Sequence, residues 1–312
     1  MRRVLLWTAA NRRLGERLSA RLGAAWSSAP AVVQAFPDGE LTATVPAAVR
    51  GADAYILHGG APDPSRRLLE LGLLLDAARA EGAGRLTVVA PYLAYARQDR
   101  RPGPGASLGL RTVARMITLG GADRLVVLDP HGAGVELAFD LPVIRLGALD
   151  LLANALRQDL PPDPVILAPD LGAAKLAARY AARLGAPAAL VRKTRLSGES
   201  VRAEALVGEV ADRSVIIVDD MISTAGTIVE AWRTAAEAGA RPRVTVVAAH
   251  GLFAGAALER LAALPLAALI TTDSVEPEQA PAVCRTVDLA PLLAEALTRL
   301  HQDDTLEGVA AY

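Results

Sequence analysis

Short apolar, β-branched runs alternate along this chain with stretches in which apolar residues recur every three or four positions. The runs are Val4–Thr8, Tyr55–Leu57, Leu86–Ala90, Leu125–Leu128, Val165–Leu167, Ala188–Val191, Val215–Val218, Val244–Ala248 and Ala268–Thr272. Runs apolar on both faces read as strands buried in a parallel sheet. The periodic stretches read as helices: Asn11–Leu22 with Leu14, Leu18 and Leu22, about Ser65–Glu81, a segment through Val229 and Trp232 that stops at Gly239, Gly255–Leu264, and Leu289–Leu300. The alternation predicts an α/β fold built on doubly wound parallel sheets. The last residues, 303–312, are expected to fray.

The pattern repeats. Tyr55–Leu57 with its helix and then Leu86–Ala90 parallels Val215–Val218 with its helix and then Val244–Ala248, and Thr-Val-Val-Ala recurs at Thr87 and Thr245. This predicts two similar α/β domains from an internal duplication, residues 1–147 and 148–286, with the segment 287–312 packing back on the first. A chance likeness between α/β units is the competing explanation.

Composition narrows the class. At 52% hydrophobic and 21% charged residues, a packed core is expected rather than disorder. A net charge of -1 gives no electrostatic reason to expect nucleic acid or an anionic membrane as partner. The apolar run after Arg2-Arg3 is too short for a signal segment, no run reaches transmembrane length, and the single cysteine, Cys284, allows no internal disulfide, so a cytoplasmic protein is expected.

The chemistry concentrates after Val218. Asp219 and Asp220 are expensive to bury side by side, which places them at the open carboxyl end of a strand. The turn Ser223-Thr224-Ala225-Gly226-Thr227 then leads into a helix. A tight strand-to-helix turn offers free amides at the positive end of a helix dipole, and Thr224 and Thr227 add hydroxyls, a cradle for one phosphate. The carboxylates can accept from vicinal hydroxyls, so phosphate and diol together describe a ribose 5-phosphate. A solvated acidic strand end before an ordinary helix fits the same spacing.

Other strand ends carry candidates. Tyr92-Leu93-Ala94-Tyr95-Ala96-Arg97-Gln98-Asp99-Arg100-Arg101 suits an anionic, flat ligand, because arginine offers bidentate phosphate contacts and a stacking face; a solvated basic loop is the plain alternative. His131, in Asp129-Pro130-His131, and Asp170, in Pro169-Asp170-Leu171-Gly172, are candidates for a shared Mg²⁺ site, with His131 acting partly through water. Arg192–Ser200, containing Lys193 and Arg195, reads as a flexible hairpin or lid. Lys193 is one of only two lysines, with Lys175, in an arginine-rich chain. The remaining stretch, Phe36-Pro37-Asp38-Gly39-Glu40, reads as an exposed turn.

Taken together, Phe-x-Asp-Gly-Glu, Tyr-x-x-Tyr-Ala-Arg-Gln-Asp-Arg, Asp-x-His, Pro-Asp-x-Gly, the Lys-x-Arg loop and the Asp-Asp signature resemble the ribose-phosphate pyrophosphokinase family, in order and nearly end to end. The last signature alone is shared with type I phosphoribosyltransferases. The resemblance implies two phosphoribosyltransferase-like domains and transfer of pyrophosphate from Mg-ATP to the anomeric hydroxyl of ribose 5-phosphate, with release of AMP. It implies that Asp219 and Asp220 hold the ribose hydroxyls, directly or through a cation, and that Ser223, Thr224, Ala225, Gly226 and Thr227 hold the 5-phosphate. Arg97, Gln98 and Asp99 fall at the ATP site, completed by Phe36, Asp38 and Glu40 of a neighbouring subunit in a homo-oligomer. His131 and Asp170 fall at the metal, and Lys193 and Arg195 close over the transferring group. Departures are Ser223 where many members have Asp, Ala225 and Ala173 where Gly is common, Pro130 for Leu, the segment 132–138 without its expected glutamines, and an altered tail at 308–312. These touch regulation by phosphate and ADP more than catalysis. A non-catalytic nucleotide-binding homologue and a phosphoribosyltransferase are the alternative functions.

Overall fold

Strands apolar on both faces need cover on both, and the chain supplies it by returning through a helix after most strands. The computed structural model describes residues 1–132, 134–196 and 201–310, with the side chains of 193–196 and 201–204 outside the description. The chain divides into two units: Met1–Gly147 with Ser274–Glu276 and Asp288–Tyr312, and Ala148–Asp273 with Pro277–Val287.

The first unit runs β1 (Arg3–Trp7), α1 (Arg12–Leu22), β2 (Ser27–Pro30), an antiparallel hairpin of β3 (Val32–Ala35) and β4 (Leu41–Thr44), β5 (Asp53–Leu57), α2 (Pro64–Ala80), β6 (Arg85–Ala90), α3 (Gly109–Leu119), β7 (Arg124–Leu128), the short α4 (Val135–Ala138) and β8 (Val143–Leu146). Six strands form a parallel sheet in the order β2-β1-β5-β6-β7-β8. Ile56, Leu86, Val88 and Leu125 from the sheet are buried in one cluster with Leu71, Leu74 and Leu75 of α2 and Leu110, Val113 and Ile117 of α3. Helix α1 buries Leu14, Leu18 and Leu22, the positions its spacing predicts.

The second unit runs α5 (Leu149–Arg157), β9 (Pro164–Ala168), α6 (Ala174–Leu184), β10 (Ala188–Leu196), β11 (Val201–Val207), β12 (Ser214–Ile222), α7 (Gly226–Glu237), β13 (Val244–Gly251), α8 (Ala257–Ala262), β14 (Leu266–Thr272) and β15 (Cys284–Val287). Its sheet has the order β11-β10-β9-β12-β13-β14-β15, parallel except for β11. Helix α6 stops at Gly185, whose left-handed φ of 66° suits a residue without a side chain. Helix α9 (Ala290–His301) returns to the first unit, packs against α1 and buries Leu293, Leu297 and Leu300.

With the antiparallel strands set aside, both sheets have one topology: second strand, first, third, fourth, fifth, sixth. The duplication inferred from Thr87 and Thr245 is therefore present in the connectivity. Each unit inserts an antiparallel excursion between its second and third strands, the β3–β4 hairpin in one and the β10–β11 ribbon in the other.

Three expectations are corrected. Strand β12 does not end at Val218 but continues through the two aspartates to Ile222, because β13 keeps pairing with it out to Ile222↔Gly251. Strand β10 does not end at Val191 but runs through Lys193 and Arg195 to Leu196, paired with β11 as the arm of the expected hairpin; residues 197–200 lie outside the described residues. The described C-terminal residues do not fray at 303: Val309 is buried and Ala310 bridges Leu146 at the end of β8. Among the described residues no helix is long and apolar enough to cross a membrane.

Candidate active site

In a parallel sheet of this order the chain changes direction between its first and third strands, and ligands bind at the carboxyl ends of those two. In the second unit the two strands are β9 and β12. Pairing between them stops at Ile217↔Leu167 and β9 ends at Ala168, whereas β12 runs on through Asp219 and Asp220. The acids thus stand past their neighbour's end, half-buried. Asp170 sits at the end of β9, where its Oδ1 accepts from the Ala173 amide at 3.2 Å. Burial, then Asp220 and then Asp170 push the Asp219 carboxyl well above the ordinary carboxylate range, although the Asp220 amide donates to its Oδ1 at 2.9 Å. The sequence motifs pair Asp170 with His131; the fold puts Asp170 in the field of Asp219.

The turn after β12 is tied down on its carbonyl side. The Ile222 carbonyl accepts from the Leu252 and Phe253 amides at 3.0 and 3.1 Å, and that of Ser223 from the Ala254 amide at 2.9 Å. Ala225 is the N-cap of α7, in a left-handed conformation (φ 60°, ψ 6°), and makes no side-chain cap. The first amides of α7 have no partner within the helix, so they are left for a ligand.

The duplicated turn in the first unit shows the contrast. Helix α2 also starts from a left-handed N-cap, Asp63 (φ 56°), but the Asp63 side chain accepts from the Arg66 amide, and Pro64 occupies N1. Upstream, the Gly59 amide donates to Asn11 Oδ1 at 2.7 Å and the Gly60 amide to the Tyr92 carbonyl at 2.9 Å. The buried His58 is engaged through Nε2 with the Arg67 carbonyl at 2.8 Å. Protein groups fill in the first unit what the second leaves open.

Ala225 carries strain. A left-handed φ costs a residue with a Cβ roughly 1–2 kcal/mol, and glycine's greater freedom in the unfolded chain offsets about 0.4–1 of that. The Ala225 methyl is buried in the second unit's core, and its loss costs roughly 0.8 kcal/mol, so Ala225→Gly should leave stability within about 1 kcal/mol of wild type. A denaturant midpoint shifted by the equivalent of more than about 2 kcal/mol in either direction would contradict this balance.

Arg97, Gln98, Asp99 and His131 follow the carboxyl ends of first-unit strands, and the other candidates lie on the two antiparallel excursions. Arg97 and Gln98 follow β6 and are exposed. Gln98 packs against Gly109 at the start of α3, so a side chain at 109 would require Gln98 to move. Asp99 is half-buried, with Oδ2 3.1 Å from where a Cβ on Gly132 would sit. Gly132 follows His131, so Asp99 borders the His131 loop after β7. His131 belongs to the first unit and Asp170 to the second. Phe36, Asp38 and Glu40 form the tip of the β3–β4 hairpin, closed by the Phe36 amide donating to the Glu40 carbonyl at 2.7 Å and the Glu40 amide donating to Asp38 Oδ1 at 3.1 Å. Phe36 is 52% exposed, with Val32 also exposed on the hairpin. Lys193 and Arg195 are placed by backbone only, opposite Glu204 and Arg202 in the β10–β11 register.

One neighbour of the turn escaped the sequence reading. Arg260 Nη1, from α8, donates to the Thr224 carbonyl at 2.9 Å. Its only signal was a lone basic residue on a short amphipathic helix, which is uninformative without the contact.

Comparison with known proteins agrees with this geometry. A model of the N-terminal domain of ribose phosphate pyrophosphokinase matches residues 4–121, and one of the phosphoribosyl synthetase-associated domain matches residues 195–309. The ribose-phosphate pyrophosphokinase of Aquifex aeolicus is 32% identical over 301 residues, 96% of this chain and 96% of that protein. That of Deinococcus radiodurans is 37% identical over 260 residues, 81% of each. The crystal structure of phosphoribosylpyrophosphate synthetase from Mycobacterium smegmatis matches with a TM-score of 0.88 at 29% identity, covering 96% of this chain and 99% of that one. With relatives more than 30% identical over four fifths or more of both chains, this chain belongs to the ribose-phosphate pyrophosphokinase family.

Proposed function

We propose that the chain transfers pyrophosphate from Mg-ATP to the C1 hydroxyl of D-ribose 5-phosphate, giving 5-phosphoribosyl 1-pyrophosphate and AMP. The observation that carries this reading is the uncapped, left-handed turn at Ala225, set directly after Asp219 and Asp220 at the sheet's switch point. Amides of residues 223–227 and the Thr224 and Thr227 hydroxyls hold the 5-phosphate; the two aspartates accept from the ribose hydroxyls and orient the anomeric oxygen. That oxygen attacks the β-phosphorus in line, the bond from this phosphorus to the α,β-bridging oxygen breaks, and AMP leaves with that oxygen. Positioning and charge neutralisation supply most of the rate, since little covalent work falls to the protein in phosphoryl transfer.

Mg²⁺ fits Asp170, because carboxylate oxygens are its preferred protein ligands. Among the described residues no three His, Cys, Asp or Glu side chains form a ready-made metal cage, so the ion would draw its other ligands from substrate and water. When bound, it neutralises charge on the triphosphate. Arg97, Gln98 and Asp99 orient ATP. We assign the two units as the two phosphoribosyltransferase-like domains, and the protein to the cytoplasm.

The exposed Phe36 tip, with Asp38 and Glu40, supports a homo-oligomer in which this hairpin completes a neighbour's ATP site. Activity confined to an assembled species in sedimentation is expected; a fully active monomer would overturn that assignment. The reaction itself is tested by supplying ATP and ribose 5-phosphate and following AMP. No AMP would point to a non-catalytic homologue, and turnover of phosphoribosyl pyrophosphate only with a nucleobase would point to a phosphoribosyltransferase.

A further inference from the structure

The phosphate turn has a cation beside it that lies outside the motif. Arg260 reaches from α8, over the loop that follows β13, and donates through Nη1 to the Thr224 carbonyl at 2.9 Å. A Cβ built on Gly226 would stand 3.7 Å from that same Nη1 and 3.8 Å from Thr224 Oγ1. The bare face of Gly226 thus has a guanidinium and a hydroxyl within 4 Å of it. Two features make this more than a tether. A positive group near the start of α7 meets the positive end of the helix dipole, an unfavourable placement unless an anion comes between them. No carboxylate among the described residues pairs with Arg260, whose side chain is exposed and uses one of its five donors on Thr224.

We propose that Arg260 is a specificity-determining residue for the 5-phosphate: it fixes the Thr224 carbonyl and presents its remaining donors to the phosphate seated over Gly226. The inference rests on the reading of residues 223–227 as the phosphate cradle. Asp219 and Asp220 select the diol; Arg260 selects the phosphorylated sugar.

The test is steady-state kinetics on Arg260→Ala, Arg260→Gln and Arg260→Lys in the full-length protein, with Thr227→Ala as reference. Removing a charge-assisted contact should raise KM for ribose 5-phosphate about tenfold or more in the Ala and Gln variants. KM for ATP and kcat should stay within about a factor of two, because the contact is made equally in ground and transition states. Lys, which keeps the charge, should recover most of the loss. Gln can still donate to the Thr224 carbonyl, so a wild-type KM in Arg260→Gln would reduce the residue to a tether and overturn the proposal. So would a parallel fall in kcat and rise in both KM values together with a lowered Tm, the mark of a structural role. Raised ionic strength should weaken ribose 5-phosphate use in the wild type more than in Arg260→Gln; equal salt dependence counts against it. If Thr227→Ala raises KM while all Arg260 variants match wild type, the Arg260 assignment fails alone. If Thr227→Ala also leaves it unchanged, the cradle reading itself fails.

Discussion

Asp53→Ala should destabilise the protein by about 3–5 kcal/mol, the range for removing one partner from a buried ion pair. Asp53 opens β5 at the amino end of the first sheet, opposite the ligand side, and is fully buried. Arg85 donates through Nε to its Oδ1 at 2.8 Å and through Nη2 to its Oδ2. His301 Nδ1, at the end of α9, donates to Oδ2 at 2.7 Å, the Tyr55 hydroxyl donates at 3.1 Å, and Arg124 Nη2 stands 4.0 Å away. One carboxylate thus ties three neighbouring strands to the C-terminal helix. Without it Arg85 and Arg124 lose their buried counter-charge, Arg85 keeping only the exposed Asp303 at 4.0 Å, and α9 loses its polar anchor. Burial alone would raise the Asp53 carboxyl, but the bonds from Arg85 and His301 outweigh it and hold the group below its usual range. The sign follows: the contribution is complete above the unfolded carboxyl value of about 4 and is lost as pH falls through the lower folded value. Urea midpoints of wild type, Asp53→Ala and Asp53→Asn, measured at neutral and acid pH, check both statements. A loss below about 1 kcal/mol at neutral pH, the level of a surface ion pair, would show that the network contributes little.

Lys193→Ala should lower kcat by about 10²–10³ while changing ATP affinity much less, as expected for a contact made mainly in the transition state. The β-phosphoryl group gains charge on its non-bridging oxygens as AMP departs, and a compact ammonium on a long stem can follow it. We assign Lys193 and Arg195 to that group on the family resemblance alone. β10 pairs with β9 only over Ala188–Leu190, so the stretch through Leu196 continues as a two-stranded ribbon with β11. An isolated two-stranded ribbon is marginal in water. Lys193→Arg should restore activity only partly, because a planar guanidinium cannot take the ammonium's position. If kcat of the alanine variant stays within about twofold, Lys193 is a solvated charge and leaves the mechanism.

Much of this protein is legible locally. The strand runs Tyr55–Leu57, Leu86–Ala90, Val165–Leu167 and Val215–Val218 are all buried, because a strand covered on both faces must be apolar at every position. The α/β class, the duplication and the Asp219–Thr227 motif could be read for the same reason: each depends on residues adjacent in sequence or on a pattern repeated at a fixed interval. The edge strands were harder. β2 reads Ser-Ser-Ala-Pro and β15 Cys-Arg-Thr-Val, half exposed and without an apolar run, and their pairing exists only because β1 and β14 offer a free edge.

What the sequence by itself determined is therefore the class of fold, its repetition and the composition of the phosphate turn, since local periodicity reports whether a residue faces core or solvent. Tertiary structure alone decided which distant groups meet. Asp170 lies in the field of Asp219 because β9 and β12 are sheet neighbours. Arg260 reaches Thr224 because the loop after β13 folds over the turn. Asp53 meets His301 because the chain returns to its first unit after completing the second. No periodicity encodes such meetings: electrostatic and hydrogen-bond energies fall off with distance in space, and that distance is set by the order in which strands pair.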